Sequence, residues 1–247
     1  MSKTRNRILL YAGAASLAGL TLLGCSLKAR PADSAGFVDY KRMAKRPALP
    51  FHLAWYKEGV DWSGYKRIYF APVDISHLKK MSWWKSSGRS EEKILQDAQR
   101  VAEYTRGVFE KAFQDDPRKR FLLADAPGPS TLTAEIALTE IVPSKVTLNT
   151  IGYVPVVGSA AKFLRNTTSK SCVAFEAKVR DGSTGEILAM YADKEQEKMA
   201  PANLNDLTWF GHAFGIIDEW ALQFVQTANK KKGTVVKDSA GFTLKPW

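Results

Sequence analysis

The sequence predicts an α+β fold: a single domain in which a mostly antiparallel sheet carries two amphipathic helices on one face, in the order β-α-β-β-β-β-α. Three observations predict it. Apolar residues recur at three-to-four spacing from Ile94 to Phe113 and from Leu207 to Val225, which is helical periodicity. Leu132, Ala134, Ile136 and Leu138 alternate with Thr133, Glu135, Ala137 and Thr139, and Val173, Phe175, Ala177 and Val179 alternate with polar residues, the pattern of strands with one solvated face. "DGSTGE", Asp181 to Glu186, then turns the second of these strands into "ILAMYAD", which makes a hairpin.

In chain order, residues 1–24 read as a secretory signal. Lys3, Arg5 and Arg7 precede an apolar-to-small run from Ile8 to Gly24, and no acidic residue interrupts it. That run is 17 residues long and broken by Gly13, Ser16, Gly19 and Thr21, whereas a spanning helix needs about 20 predominantly apolar residues. It ends in Leu22-Leu23-Gly24-Cys25, which resembles the bacterial lipoprotein box. The resemblance implies cleavage between Gly24 and Cys25, acylation of the Cys25 thiol by palmitate-like chains, and a third chain on the new amino terminus. Ser26 follows where an inner-membrane protein of this kind has Asp, so the resemblance implies the outer membrane, with the domain facing the periplasm. Each buried methylene contributes about 0.8 kcal/mol, so three chains make an effectively permanent anchor.

The chain carries 36 basic and 25 acidic residues, a net charge of +11. Three of the basic residues precede Cys25, so the remainder holds 33 against 25, or +8. Such a surface suits an anionic envelope polymer, lipid headgroups or an envelope protein; nucleic acid is not expected as a partner for an exported chain. With Cys25 taken by lipid, Cys172 is the one thiol left and no internal disulfide can form. His52, His77 and His212 lie far apart, with no Cys, Asp or Glu at metal-ligand spacing, so neither a metal nor another cofactor is expected. The sequence has no nucleophile elbow, phosphate-cradling glycine loop or kinase signature.

Residues 25–59 are basic and contain proline, as in "KRMAKRPALP" at Lys41 to Pro50, which suits a tether behind the lipidated cysteine. Phe37, Tyr40, Phe51, Trp55 and Tyr56 indicate that part of it lies back along the domain. The domain proper spans 60–229, and a basic tail with Lys230, Lys231 and Lys232 occupies 230–247. Its first strand is "YKRIYFAPVDI", Tyr65 to Ile75, rich in aromatic and β-branched residues. A polar loop with adjacent Trp83 and Trp84 follows, and Ser90 is placed to cap a helix whose first turn holds Glu91 and Glu92. That helix ends before Pro117; "RFLLADA" from Arg120 is a short strand. Cys172, near a strand end, reads as a structural thiol, since no neighbour in sequence is placed to depress its pKa.

Taken together, "SAGFVDY", "YKRIYFAPV", "LTAEIALTEIVPS", "VAFEAKVRDGSTGEILA" and "IIDEWALQF" resemble an uncharacterised family of bacterial lipoproteins defined only as a domain of unknown function. Glu176, Asp181, Gly185 and Trp220 match positions that this family commonly keeps, each with a structural reading: an outward carboxylate, a turn start, a turn glycine and a buried aromatic. The resemblance extends to small domains of envelope assembly and transport-auxiliary lipoproteins, which bind partners and catalyse nothing; at the level of fold that is analogy.

The expected function is a lipid-anchored periplasmic binding or scaffold module without catalysis. Its contact surface is expected at Trp83 and Trp84, framed by Lys79, Lys80, Lys85 and Arg89, and at Tyr153, Lys162 and Arg165. The latter three lie in an excursion from Thr147 to Lys170 of no simple period, which either dips into the bilayer, enters a partner's groove or closes one end of the core. The alternative is a hydrolase or transferase of an envelope polymer using Glu135, Glu140 or Glu176, although strand-face glutamates are ordinarily solvated.

Overall fold

A computed structural model describes residues 28–80, 83–143, 171–196, 211–231 and 233–238. The long strands and helices form where the sequence pattern places them. Strands β1 (Leu53–Tyr56), β2 (Arg67–Phe70), β3 (Leu122–Leu123), β4 (Thr131–Val142), β5 (Cys172–Asp181) and β6 (Ile187–Gln196) make one sheet in the spatial order β1-β6-β5-β4-β2-β3. The β1-β6-β5-β4 run is antiparallel, while β2 lies parallel to both β4 and β3. Beside them are α1 (Trp83–Ser86), α2 (Glu91–Gln114) and α3 (Gly211–Ala228). The fold is therefore α+β with an open, mostly antiparallel sheet and two sizeable helices.

Helix α2 starts where Ser90 Oγ accepts from the Lys93 amide at 3.3 Å, with Glu91 and Glu92 at the positive end of the helix dipole. Its buried stripe, Ile94, Ala98, Val101, Ala102, Phe109 and Phe113, faces the sheet and α3. Rings meet where the helices cross: Tyr104 and Phe214 centroids lie 4.2 Å apart, Phe109 and Phe224 5.2 Å. The Tyr104 hydroxyl donates to Asp218 at 2.8 Å across the same seam. On the sheet, Phe175 sits edge-on to Trp220 at 4.6 Å.

The hairpin turn between β5 and β6 is held by Asp181, which accepts from the Ser183 and Thr184 amides and from the Tyr65 hydroxyl at 2.7 Å. The tyrosine bond comes first among the causes that lower its pKa to about 2. Gly182 lies against the backbone of Gly128 and Thr131: a Cβ there would stand 2.7 Å from the Thr131 carbonyl oxygen, so no larger residue fits.

Two expectations are corrected. The outer face of the sheet is not solvated: β4 is buried along nearly its whole length, Ala137 and Thr139 included. Residues 33–44 cover it as a strap, and Val38 and Met43 form a second cluster with Met190 and Ala192 of β6. A bulge between Leu138 and Glu140 shifts the register of β4, so Glu140 lies opposite Ala174 and faces outward.

The expected tether is the other correction. From Lys28 onward the 25–59 segment is part of the folded body, because its apolar residues have a sheet edge and a core to bury against. Phe51 is fully buried against Phe175, Tyr191 and Phe224, and β1 pairs with β6 from Leu53 to Tyr56.

Candidate functional site

The inner face of the sheet and the C-terminal ends of α2 and α3 do not close on each other completely. Between them lies a cavity of about 610 Å³, within the range of about 300 to 1,000 Å³ typical of ligand sites. Its floor is apolar: Ile68 and Phe70 from β2, Ala134 and Ile136 from β4, Ala177 and Val179 from β5. Aromatic walls come from Phe113 at the end of α2, Phe121 after it and Phe224 of α3.

Local sequence explains the gap. Small side chains at Ala134 and Ala177 face the helices where flanking positions carry larger ones, and α2 ends at Gln114 ahead of Pro117.

The mouth is basic. Lys45, Arg46, Arg120, Lys230 and Lys231 line it, and among the described residues none of the five lies within 4 Å of a carboxylate. Arg46 stands over the Tyr56 ring at 5.6 Å and Arg120 over Phe121 at 5.0 Å, so their alkyl stems and guanidinium planes follow the wall. Arg120 also donates to the Ala228 carbonyl at the end of α3, and Lys45 Nζ to Phe51 O at 2.9 Å.

Two polar features break the apolar lining. The Tyr191 and Tyr56 hydroxyls share one hydrogen bond of 3.1 Å, and burial raises the pKa of both. Thr227 Oγ1 is shut away from solvent and has no hydrogen-bond partner among the described residues. This arrangement can hold an elongated apolar group below an anion.

Trp83 and Trp84, expected at an exposed surface, are 3% and 7% exposed and belong to the main core. The turn of α1 tucks both indoles inward, 6.0 Å apart, because rings of this size gain more from burial than from a rim position. Exposed Lys80 and Lys85 made the loop look like an interface. Cys25, Tyr153, Lys162 and Arg165 lie outside the described residues, as does the 147–170 excursion.

The three strand glutamates all have partners outside the cavity. Glu135 pairs with Arg180 at 2.9 Å. Glu140, buried, pairs with Lys194 at 2.5 Å and Lys79 at 3.4 Å. Glu176 is 1% exposed and accepts the Ala35 and Val38 amides of the strap at 2.6 and 2.8 Å. Burial, then Glu176, raises the Tyr40 pKa beside it. Cys172 is buried, and burial pushes its thiol up to about 11 despite nearby Lys194.

A separate buried charge cluster lies where β6 meets α3. Asp193 accepts from the Trp220 indole at 3.0 Å and the His52 amide at 3.0 Å, and the His52 ring lies 2.6 Å away. Lys28 reaches Asp193 at 3.1 Å, Glu195 at 2.9 Å and Asp238 at 2.9 Å. Burial works against the Lys28 ammonium, but Asp193 and Glu195 outweigh it and hold the pKa above the usual lysine value. No group of three or more metal-ligating side chains is assembled among the described residues. No helix among them is long and apolar enough to cross a membrane.

Sequence reasoning missed the cavity and its rim. Lys230 and Lys231 were visible as a basic tail and Lys45 and Arg46 as a basic tether, but nothing local joins positions so far apart.

The chain belongs to the family described as "Protein of unknown function (DUF3313)", whose family model matches residues 33–224. No curated protein sequence matches it. Among solved structures it is similar to the PelC dodecamer from Paraburkholderia phytofirmans, at 7% identity and a TM-score of 0.36 over 72% of this chain and 96% of that one. It is also similar to a Xanthomonas campestris protein of the family DUF330, at 7% identity and a TM-score of 0.35 over 71% and 94%. At these scores neither likeness bears on function.

Proposed function

We propose that this member of a family of unknown function is a non-catalytic binding module of the bacterial cell envelope, anchored to the outer membrane through acylated Cys25 and facing the periplasm. The observation that carries the binding role is the cavity of about 610 Å³ beneath a rim of basic side chains that have no carboxylate partners among the described residues. Buried apolar surface supplies affinity, and charged groups at a mouth select and orient what enters. The anchor rests on Leu22-Leu23-Gly24-Cys25 and the basic, apolar segment ahead of it. The glutamates considered for acid-base chemistry are engaged in ion pairs or in holding the strap, which favours a structural role for each.

Binding is tested in intact cells with a photoreactive benzoylphenylalanine at Trp62, on the cavity wall, and at Leu222, exposed on α3, as control. A light-dependent adduct at Trp62 alone supports the module. No adduct at Trp62 in a protein of normal abundance and melting temperature refutes it. Cys25→Ser should abolish incorporation of a labelled fatty acid; normal incorporation would refute the anchor.

A further inference from the structure

We infer that the cavity takes a single-chain anionic amphiphile, one long acyl chain beneath a phosphate or carboxylate head, drawn from the membrane leaflet to which the protein is anchored. This rests on the binding-module reading above and names the ligand class of the same site.

Volume and lining fix the tail. A methylene takes about as much space as a water molecule's share of the liquid, roughly 30 Å³, so about 610 Å³ accommodates a chain of about sixteen carbons with room for part of a head. Aliphatic and aromatic groups from β2, β4, β5, α2 and α3 surround that volume, and every methylene that enters leaves water.

Charge fixes the head. Lys45, Arg46, Arg120, Lys230 and Lys231 converge on one mouth from three separate stretches of chain. Several basic residues elsewhere are paired, as Lys57 is with Glu186, Arg89 with Asp97 and Arg180 with Glu135; what marks the mouth is that five converge on one apolar cavity. At the mouth five basic side chains line one opening with no carboxylate within 4 Å among the described residues, so an anion that enters meets positive charge on several sides. Thr227 Oγ1, buried without a partner among the described residues, and the spare proton of the Tyr56–Tyr191 pair offer donors to an oxygen of the head.

Position fixes the source. Lys28 is tied to Asp193, Glu195 and Asp238, and its Nζ also donates to Pro50 O, next to the mouth residues Ala48 and Leu49. From Cys25 to Lys28 the chain spans at most about 11 Å. An acylated Cys25 therefore keeps Lys28, and through its side chain the Pro50 carbonyl beside the rim loop, near the lipid headgroups.

The test uses the full-length acylated protein in phosphatidylcholine vesicles. It is exposed to diazirine-bearing palmitate, lysophosphatidylglycerol, lysophosphatidylcholine or hexadecanol, and labelled peptides are mapped by mass spectrometry. Labelling of the Phe121 and Tyr191 peptides by palmitate or lysophosphatidylglycerol, several-fold above hexadecanol and lysophosphatidylcholine, is the expected result. The stronger of the two anionic probes identifies a carboxylate or a phosphate head. Arg46→Ala with Lys231→Ala, both exposed, should leave the melting temperature unchanged and cut anionic labelling about tenfold, without affecting hexadecanol.

Equal labelling by all four probes, or anionic labelling indifferent to the rim variant, overturns the anionic ligand and leaves the cavity as an apolar site. If only Cys25→Ser protein is labelled, the protein's own acyl chain fills the cavity and an exchangeable ligand is overturned. Labelling by none of the probes, alongside a Trp62 adduct in cells, rejects the amphiphile but retains the module.

Discussion

Replacing Glu176 by alanine should unclamp the strap from the sheet. Glu176 lies mid-strand in β5, almost wholly buried, with Oε1 accepting the Ala35 amide at 2.6 Å and Oε2 the Val38 amide at 2.8 Å. Hydrogen bonds to a charged group contribute about 1.5 to 3 kcal/mol each, so the two together account for about 3 to 6 kcal/mol. The alanine also leaves two amides without an acceptor and loosens the cover over Met190 and Ala192. Against a total stability of about 5 to 15 kcal/mol this is a large share. At about 2 to 4 °C per kcal/mol for a domain of this size, the melting temperature should fall by roughly 10 to 20 °C.

Calorimetry measures the fall, and limited trypsin digestion locates it, since Lys41 and Arg42 lie in the strap and should be cut earlier in the variant. Glu176→Gln, which keeps one acceptor oxygen and turns an NH2 toward the other amide, should lie between parent and alanine. An unchanged melting temperature with unchanged cleavage at Lys41 and Arg42 would refute the clamp. An alanine variant that keeps its fold while losing turnover of an envelope polymer would restore Glu176 to acid-base chemistry.

Phe109→Ala should cost about 3 to 5 kcal/mol, because its ring is buried against Phe70 and Phe224, whereas Arg100→Ala, exposed on the other side of α2, should cost little. Equal melting temperatures would mean that the stripe is misassigned. Trp83→Ala with Trp84→Ala should lower the melting temperature by many degrees; no change would put the indoles back on the surface. Burial, with Asp193 second, pushes the Glu195 carboxyl from 4.5 up to about 7 against the pull of Lys28. The folded state therefore holds this proton more tightly than the unfolded one: the associated stability is full below pH 4.5 and is lost as pH rises through 7. Glu195→Gln should remove that loss, on the order of 3 kcal/mol at most, and exceed the parent in unfolding free energy at pH 8 but not at pH 4. Identical pH slopes in denaturant titrations would refute the assignment.

What the sequence made legible was whatever a local period could express. The Ile94 to Phe113 stripe, the Ser90 cap and the Asp181 to Glu186 turn each depend on neighbours within a few residues, and each is found as read. The outer face of the sheet was misread for the complementary reason. Thr133, Ala137 and Thr139 have the composition of a solvated face, and only a strap about a hundred residues earlier makes them buried. Trp83 and Trp84 are a different case: the charge of their loop suggests a surface, but the large apolar area of two indoles prevails and both are buried.

The rim of the cavity combines both kinds of illegibility, since each cation belongs to a segment that reads as solvated linker or tail. What assembles it is the meeting of the 28–50 segment with the segment that follows α3. Lys28 binds both Pro50 O and Asp238, and the Val236 amide donates to Ala48 O at 3.1 Å. The 45–50 loop and the 230–238 segment are thus locked to one another at the mouth, and Arg118 and Arg120 fix the end of α3 between them through the Asn229 and Ala228 carbonyls. Four of the five basic residues at the mouth belong to these two segments, so the contacts between the segments are what hold the rim together. An anion held there, as inferred above, would favour the same docking of the two segments, and the docking would favour the anion in turn.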